Sequence, residues 1–137
     1  MKVVLSIAGS DSSGGAGIQA DLNTFEAFNF FGTTDITALT AQNTTGVEQI
    51  VAMDASFVKK QMEMIFKDFD VAAIKIGMLF NKEIIDTVCE MIQDVDIPIV
   101  LDPVSISKAG SPLLEDVALN AMKSLFDHVT LITPNHN

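Results

Sequence analysis

The glycines near the start of the chain have the most chemical potential in this sequence. Gly9-Ser10-Asp11-Ser12-Ser13-Gly14 has the spacing of a loop whose backbone N–H groups cradle phosphates. Such a loop ends in Lys followed by Ser or Thr, and Gly15 and Ala16 stand there instead. Without the lysine no point charge faces the phosphates, so that motif is rejected. Gly15-Ala16-Gly17-Ile18-Gln19-Ala20 fits a loose dinucleotide fingerprint. A true fingerprint places its first glycine directly after a strand, whereas here Gly15 comes well after Ala8. Taken alone, the glycines read as turn formers that supply positive φ and close backbone approach. Cys89 recurs with Ile85, Val88 and Ile92 at helical spacing, which marks a core thiol and not a nucleophile. His128 and His136 have no Cys or acid cluster at ligand spacing, so no metal site is expected from them. Spacing alone assembles no Ser–His–Asp constellation.

Composition narrows the partners. The chain has 137 residues and a net charge of −10, with 18 acids against 8 bases. All the bases are Lys, and Trp and Tyr are absent. A nucleic-acid binder needs a basic footprint with aromatic platforms, so nucleic acid is excluded as a partner, and anionic membrane surfaces with it. No apolar run approaches a membrane span. The single cysteine permits no internal disulfide. The apolar run at the start ends at Gly9 and reads as a buried strand instead of a signal peptide, so a cytoplasmic protein is expected. With 48 % apolar residues there is ample material for one core.

The elements that must position these residues alternate. Val3–Ala8 is a short continuous apolar run, as in a strand covered on both faces. The loop Gly9–Gly17 follows, then a helix with Ile18, Leu22, Phe25 and Phe28 on one side. Asp35–Leu39 reads as a second strand, Ala41–Gly46 as a loop, and Val47–Met53 as an extended piece. Asp54 is placed to cap a helix with the stripe Val58, Met62, Ile65, Phe66 and Phe69. Val71–Ile76 is a strand, and Asn81 caps a helix carrying Ile85–Ile92. Ile97–Leu101 is a strand, Ser111-Pro112 starts a helix, and Val129–Thr133 is the last strand. This alternation predicts an α/β fold, a parallel sheet with helices on both faces. Ligands in such sheets bind beyond the carboxyl ends of the strands. That rule selects Gly9–Gly17, Ala41–Gly46, Gly77–Phe80, Asp102–Gly110 and Thr133–Asn137.

Those same segments carry a family resemblance. Ser6-Ile7-Ala8-Gly9-Ser10-Asp11-Ser12-Ser13-Gly14-Gly15-Ala16-Gly17-Ile18-Gln19-Ala20-Asp21 closely resembles the opening of the hydroxymethylpyrimidine and hydroxymethylpyrimidine-phosphate kinases of thiamine synthesis, in the ribokinase-like superfamily. Thr37-Ala38-Leu39-Thr40-Ala41-Gln42-Asn43-Thr44, Lys75-Ile76-Gly77-Met78-Leu79, Leu101-Asp102-Pro103-Val104 and Leu131-Ile132-Thr133-Pro134-Asn135 agree in order. The resemblance runs through the whole chain but covers only the N-terminal half of the family. It implies that residues 1–137 are the N-terminal part of one kinase domain, with a sheet incomplete on its C-terminal side.

The resemblance also implies roles. Asp21 matches an acid that faces the substrate and accepts a hydrogen bond from its hydroxymethyl group or ring. Gln42 matches the residue that reads the aminopyrimidine edge, where an amide offers both a donor and an acceptor. Gly9 leaves room for the ring, and Met78 and Val104 wall the pocket. Asn135 matches a residue near the Mg²⁺–ATP phosphates, so ATP and Mg²⁺ are the implied cofactors of the complete enzyme. Ser105-Ile106-Ser107-Lys108 departs from the family's usual Met, apolar residue, Ala and Lys, which makes the pocket edge more polar. The family's catalytic Gly-Thr-Gly-Cys-type segment and adenine pocket lie further downstream and have no counterpart in this sequence. The chain is therefore expected to carry the pyrimidine pocket, to be inactive alone, and to be completed by further sequence or another polypeptide. A homo-oligomer is compatible with the resemblance. Pyridoxal kinase of the same superfamily, a non-catalytic pyrimidine-binding module, and a dinucleotide-binding oxidoreductase are the rival readings.

Overall fold

The computed structural model describes residues 1–102 and 131–132. Six strands form one sheet: β1 Val3–Ser10, β2 Phe31–Asn43, β3 Gly46–Ala52, β4 Val71–Ile76, β5 Ile99–Leu101 and β6 Leu131–Ile132. Among the described residues three helices lie between strands: α1 Gly17–Ala27, α2 Ala55–Asp68 and α3 Lys82–Ile92. The spatial order is β3-β2-β1-β4-β5-β6. β1 pairs in parallel with β2 and β4, β4 with β5, and β5 with β6.

The two faces of β1 follow from its alternation. Leu5 and Ile7 enter a core shared with Val58 and Met62 of α2 and Ile84, Ile85 and Val88 of α3. Ser6, between them, points the other way and bonds Asp21 of α1. Helices therefore cover both faces, as the alternation predicts. Asn81 caps α3, its Oδ1 accepting from the Ile84 N–H at 3.0 Å. Cys89 is buried on that helix, and burial pushes its thiol up to about 11, which keeps it protonated and inert.

Several expectations need correction. The sheet is not wholly parallel, because β3 runs antiparallel to β2. Ala41–Gly46 is not a loop: β2 continues to Asn43, and only residues 44–45 turn before β3. The Asn43 side chain makes that turn, its Oδ1 accepting from the Thr45 N–H at 2.8 Å and the Thr45 hydroxyl at 2.6 Å. β3 matches the expected extended piece Val47–Met53 and is exposed almost throughout, with only Ile50 half-buried. β2 also begins at Phe31, ahead of Asp35. Phe28 is not on the buried face of α1; it follows the helix and is 69 % exposed. Asp54 precedes α2, but its side chain makes no capping bond. The strand expected from Ile97 starts at Ile99. The helix expected after Ser111-Pro112 lies outside the described residues.

Where β3 does not reach, a side chain finishes the edge of β2. The Gln61 amide of α2 accepts from the Ile36 N–H at 3.0 Å and donates to the Ile36 carbonyl at 2.9 Å. One residue thus supplies both bonds a neighbouring strand would give.

Candidate functional site

The carboxyl ends of β2, β1 and β4 lie side by side, and each leads into one of the singled-out segments. Gly9 is the penultimate residue of β1, Gln42 the penultimate residue of β2, and Met78 follows β4 by two positions. The Thr37 hydroxyl of β2 donates to the Met78 carbonyl at 2.6 Å, which fixes the segment after β4 to the sheet. Gly9, Gln42 and Met78 are therefore carried to the same edge. An open concavity of ≈ 710 Å³ lies there, lined by Ser12, Thr40, Gln42, Asn43, Thr45 and Glu48 among others. Of the expected site residues only Gln42 lines it. Val104 and Asn135 lie outside the described residues.

Gly9 has a packing reason to lack a side chain. A Cβ there would come within 2.9 Å of the Phe80 ring. Phe80 itself holds φ 70, a left-handed conformation unusual for an aromatic residue, directly after Met78 and Leu79. The room left by Gly9 is taken on one side by this ring.

Asp21 stands one turn into α1, buried against the sheet. The Ser6 hydroxyl donates to its Oδ2 at 2.7 Å, and the Lys75 ammonium of β4 forms an ion pair with its Oδ1. Each carboxylate oxygen keeps a second acceptor position beyond these bonds. Lys75 was detectable as the one charge inside an otherwise apolar strand, since a buried charge needs a partner.

The glycine-rich loop is closed by its own acid. The Asp11 carboxylate accepts from the Ser13 N–H at 2.8 Å, the Ser13 hydroxyl at 2.6 Å and the Gly15 N–H at 3.1 Å. The Ser13 hydroxyl foremost, with the loop N–H groups, holds the Asp11 carboxyl below the usual carboxylate value despite the opposing effect of burial. A carboxylate thus already fills the ring of amides where a phosphate would sit, a second reason to reject the phosphate-cradle reading. The Asp-x-x-Gly spacing was a turn signal in the sequence, though it did not reveal that Asp11 organises the loop.

Gly17 closes the other end of this loop at φ 60, and a Cβ there would lie 2.3 Å from the Gly9 carbonyl oxygen. Backbone cannot yield as a side-chain tip can. Gly17→Ala is therefore expected to cost about 3 kcal/mol. A urea titration checks this through the midpoint, which falls if the contact is as close as described and stays put if it is not.

The described residues do not fit a nucleotide–metal centre. Among them no group of three or more His, Cys, Asp or Glu could hold a metal ion, and the Ser13 and Gly15 N–H groups of the loop are taken by Asp11. Among the described residues no helix is long and apolar enough to cross a membrane.

The chain resembles phosphomethylpyrimidine kinase from Clostridium difficile 630, with TM-score 0.89 and 46 % identity over 98 % of this chain and 59 % of that one. It also resembles the pyridoxal kinase from Staphylococcus aureus in complex with AMP-PCP and pyridoxal, with TM-score 0.83 and 35 % identity over 98 % of this chain and 48 % of that one. The fold is that of the ribokinase-like α/β kinases. The sequence pattern of the phosphomethylpyrimidine kinase family matches residues 11–137, and the chain belongs to that family. It is 50 % identical to the hydroxymethylpyrimidine/phosphomethylpyrimidine kinase of Haemophilus influenzae over 98 % of this chain and 51 % of that protein. The chain thus spans about half the length of the curated relatives it matches.

Proposed function

We propose that this chain carries the pyrimidine pocket of an ATP-dependent kinase of thiamine synthesis. The substrate is 4-amino-5-hydroxymethyl-2-methylpyrimidine and then its monophosphate. Gln42 reads the aminopyrimidine edge, and Asp21 accepts a hydrogen bond from the hydroxymethyl group or ring. Gly9, Met78 and Val104 shape the pocket, and Asn135 lies toward the Mg²⁺–ATP phosphates. Residues 1–137 are the N-terminal part of a single kinase domain in this reading, and the chain alone transfers no phosphoryl group. The observation that carries it is the meeting of the Gly9, Gln42 and Met78 segments at the carboxyl ends of three neighbouring parallel strands. Phosphoryl transfer rests on positioning and charge stabilisation. The described residues at the strand ends supply positioning groups, and Lys75 of β4 is committed to Asp21.

The test joins this chain to the remaining half of the Haemophilus influenzae relative. Hydroxymethylpyrimidine and pyridoxal are offered together with Mg²⁺–ATP, and the monophosphates are counted by mass spectrometry. The fusion is expected to phosphorylate hydroxymethylpyrimidine in preference, and Gln42→Ala to lower that rate at least about tenfold, one good hydrogen bond's worth. Preference for pyridoxal would overturn the assignment and favour the ring of the Staphylococcus aureus relative. An unchanged rate for Gln42→Ala would remove Gln42 from the pocket.

A further inference from the structure

We infer that Ser12 is a positioning residue, whose hydroxyl fixes the end of β2 so that Gln42 presents its amide in a set plane. This rests on the reading that Gln42 recognises the pyrimidine. β1 ends at Ser10, whereas β2 continues to Asn43 with β3 on one side only. The Gln42 backbone groups that face the glycine loop have no strand to pair with. Ser12 answers both. Its hydroxyl accepts from the Gln42 N–H at 2.7 Å and donates to the Gln42 carbonyl at 2.8 Å. A hydroxyl is the smallest side-chain group that can do both at once. The register of β2 against β3 slips between Ala41 and Gln42, so the ladder on the far side is irregular at this residue. Ser12 therefore supplies, on the glycine-loop side, both backbone bonds that no strand gives Gln42.

Ser12 is itself held. The Asp11 N–H donates to the Gln19 side-chain oxygen at 2.8 Å, and the Gln19 amide nitrogen donates to the Ser10 hydroxyl at 2.8 Å. On the other side the Asp11 carboxylate gathers Ser13 and Gly15. A continuous chain of bonds thus runs from Gln19 of α1 through the glycine loop to the backbone of Gln42. Ser12 and Gln42 both line the concavity at the strand ends. Two hydrogen bonds from one planar amide to one ring need the amide held within a few tens of degrees, so loosening Gln42 loses affinity before it loses fold. The Ser12–Gln42 bonds are exposed, so water replaces them cheaply and their removal spares stability.

The test uses the full 137-residue chain, its Ser12→Ala, Ser12→Thr and Gln42→Ala variants, and hydroxymethylpyrimidine as the probe. Ser12→Ala is expected to weaken binding about tenfold, with Ser12→Thr restoring it and the melting temperature unmoved. The Gln42 amide proton should exchange with solvent faster in Ser12→Ala than in the parent. Equal affinity in Ser12→Ala and parent, beside a weakened Gln42→Ala, overturns this inference and leaves the pocket reading standing. A parallel fall in affinity and melting temperature that Ser12→Thr does not rescue also overturns it, since that is a purely structural role. A parent chain that does not bind the pyrimidine, or a Gln42→Ala variant that binds as well as the parent, overturns the pocket reading and this inference with it.

Discussion

Asp35→Val raises the stability of this chain at pH 8 by about 3 kcal/mol, and the gain shrinks as pH falls toward 4. Asp35 lies in the middle of β2, in register with Ile7, and so faces the core built with α2 and α3. It is fully buried, and neither carboxylate oxygen has a hydrogen-bond partner among the described residues. Burial pushes its carboxyl up from 3.8 to about 8. The folded state therefore keeps its proton over a range where the unfolded chain has lost it. Between pH 4 and 8 the folded state binds more protons, so stability falls as pH rises. This group is least harmful below pH 4, and its cost is complete once pH passes 8. Valine is close to aspartate in size and suits a strand. It removes the desolvated acid without opening a cavity. Denaturant unfolding of parent and variant at pH 5, 6, 7 and 8 gives the difference directly. A difference that stays constant across that range would mean that Asp35 is ionised and paired in solution.

Lys75→Met is the second large effect, and its sign is opposite. The substitution keeps most of the apolar stem but leaves the buried Asp21 carboxylate with Ser6 alone. Removing one partner of a buried pair costs more than the pair is worth, because the survivor stays desolvated. The Lys75 side chain is 30 % exposed, so solvent screening lowers the expected loss to about 2 kcal/mol. A double-mutant cycle separates this from lost packing. Asp21→Asn added to Lys75→Met should recover part of the loss, since no charge is then stranded. Strict additivity of the two substitutions would show that the pair does not interact.

Much of the architecture was legible because apolar strands and capped helices leave strong periodic signals. Val71–Ile76 and the Asn81-capped helix read correctly since each buries at least one apolar face, and Val3–Ala8 stops two residues short of β1, which takes Gly9 and Ser10 from the expected loop. Ala41, Gln42 and Asn43 at the end of β2 did not read as strand because none of them is buried, whereas the extended piece Val47–Met53 agrees with β3 to within a residue at each end. The site was legible at the level of segments, through motifs in order, and not at the level of contacts. Nothing in the spacing tells that Lys75 pairs with Asp21 across 54 residues, or that Ser12 reaches Gln42 across 30. Such bonds depend on which strands become neighbours, and β1 is placed between β2 and β4 only by the crossovers. Asp35 misled in a different way. It stands first in the expected strand Asp35–Leu39, whereas β2 begins at Phe31 and carries it into the core with neither carboxylate oxygen partnered among the described residues.

Calorimetric titration with hydroxymethylpyrimidine tests whether this chain holds a pyrimidine pocket. Cooperative urea unfolding of the same sample establishes beforehand that the protein is folded. The account predicts saturable binding at one site per chain, weakened by Gln42→Ala and untouched by a substitution on the far face of the sheet such as Met62→Leu. A folded chain that takes up no hydroxymethylpyrimidine would contradict it.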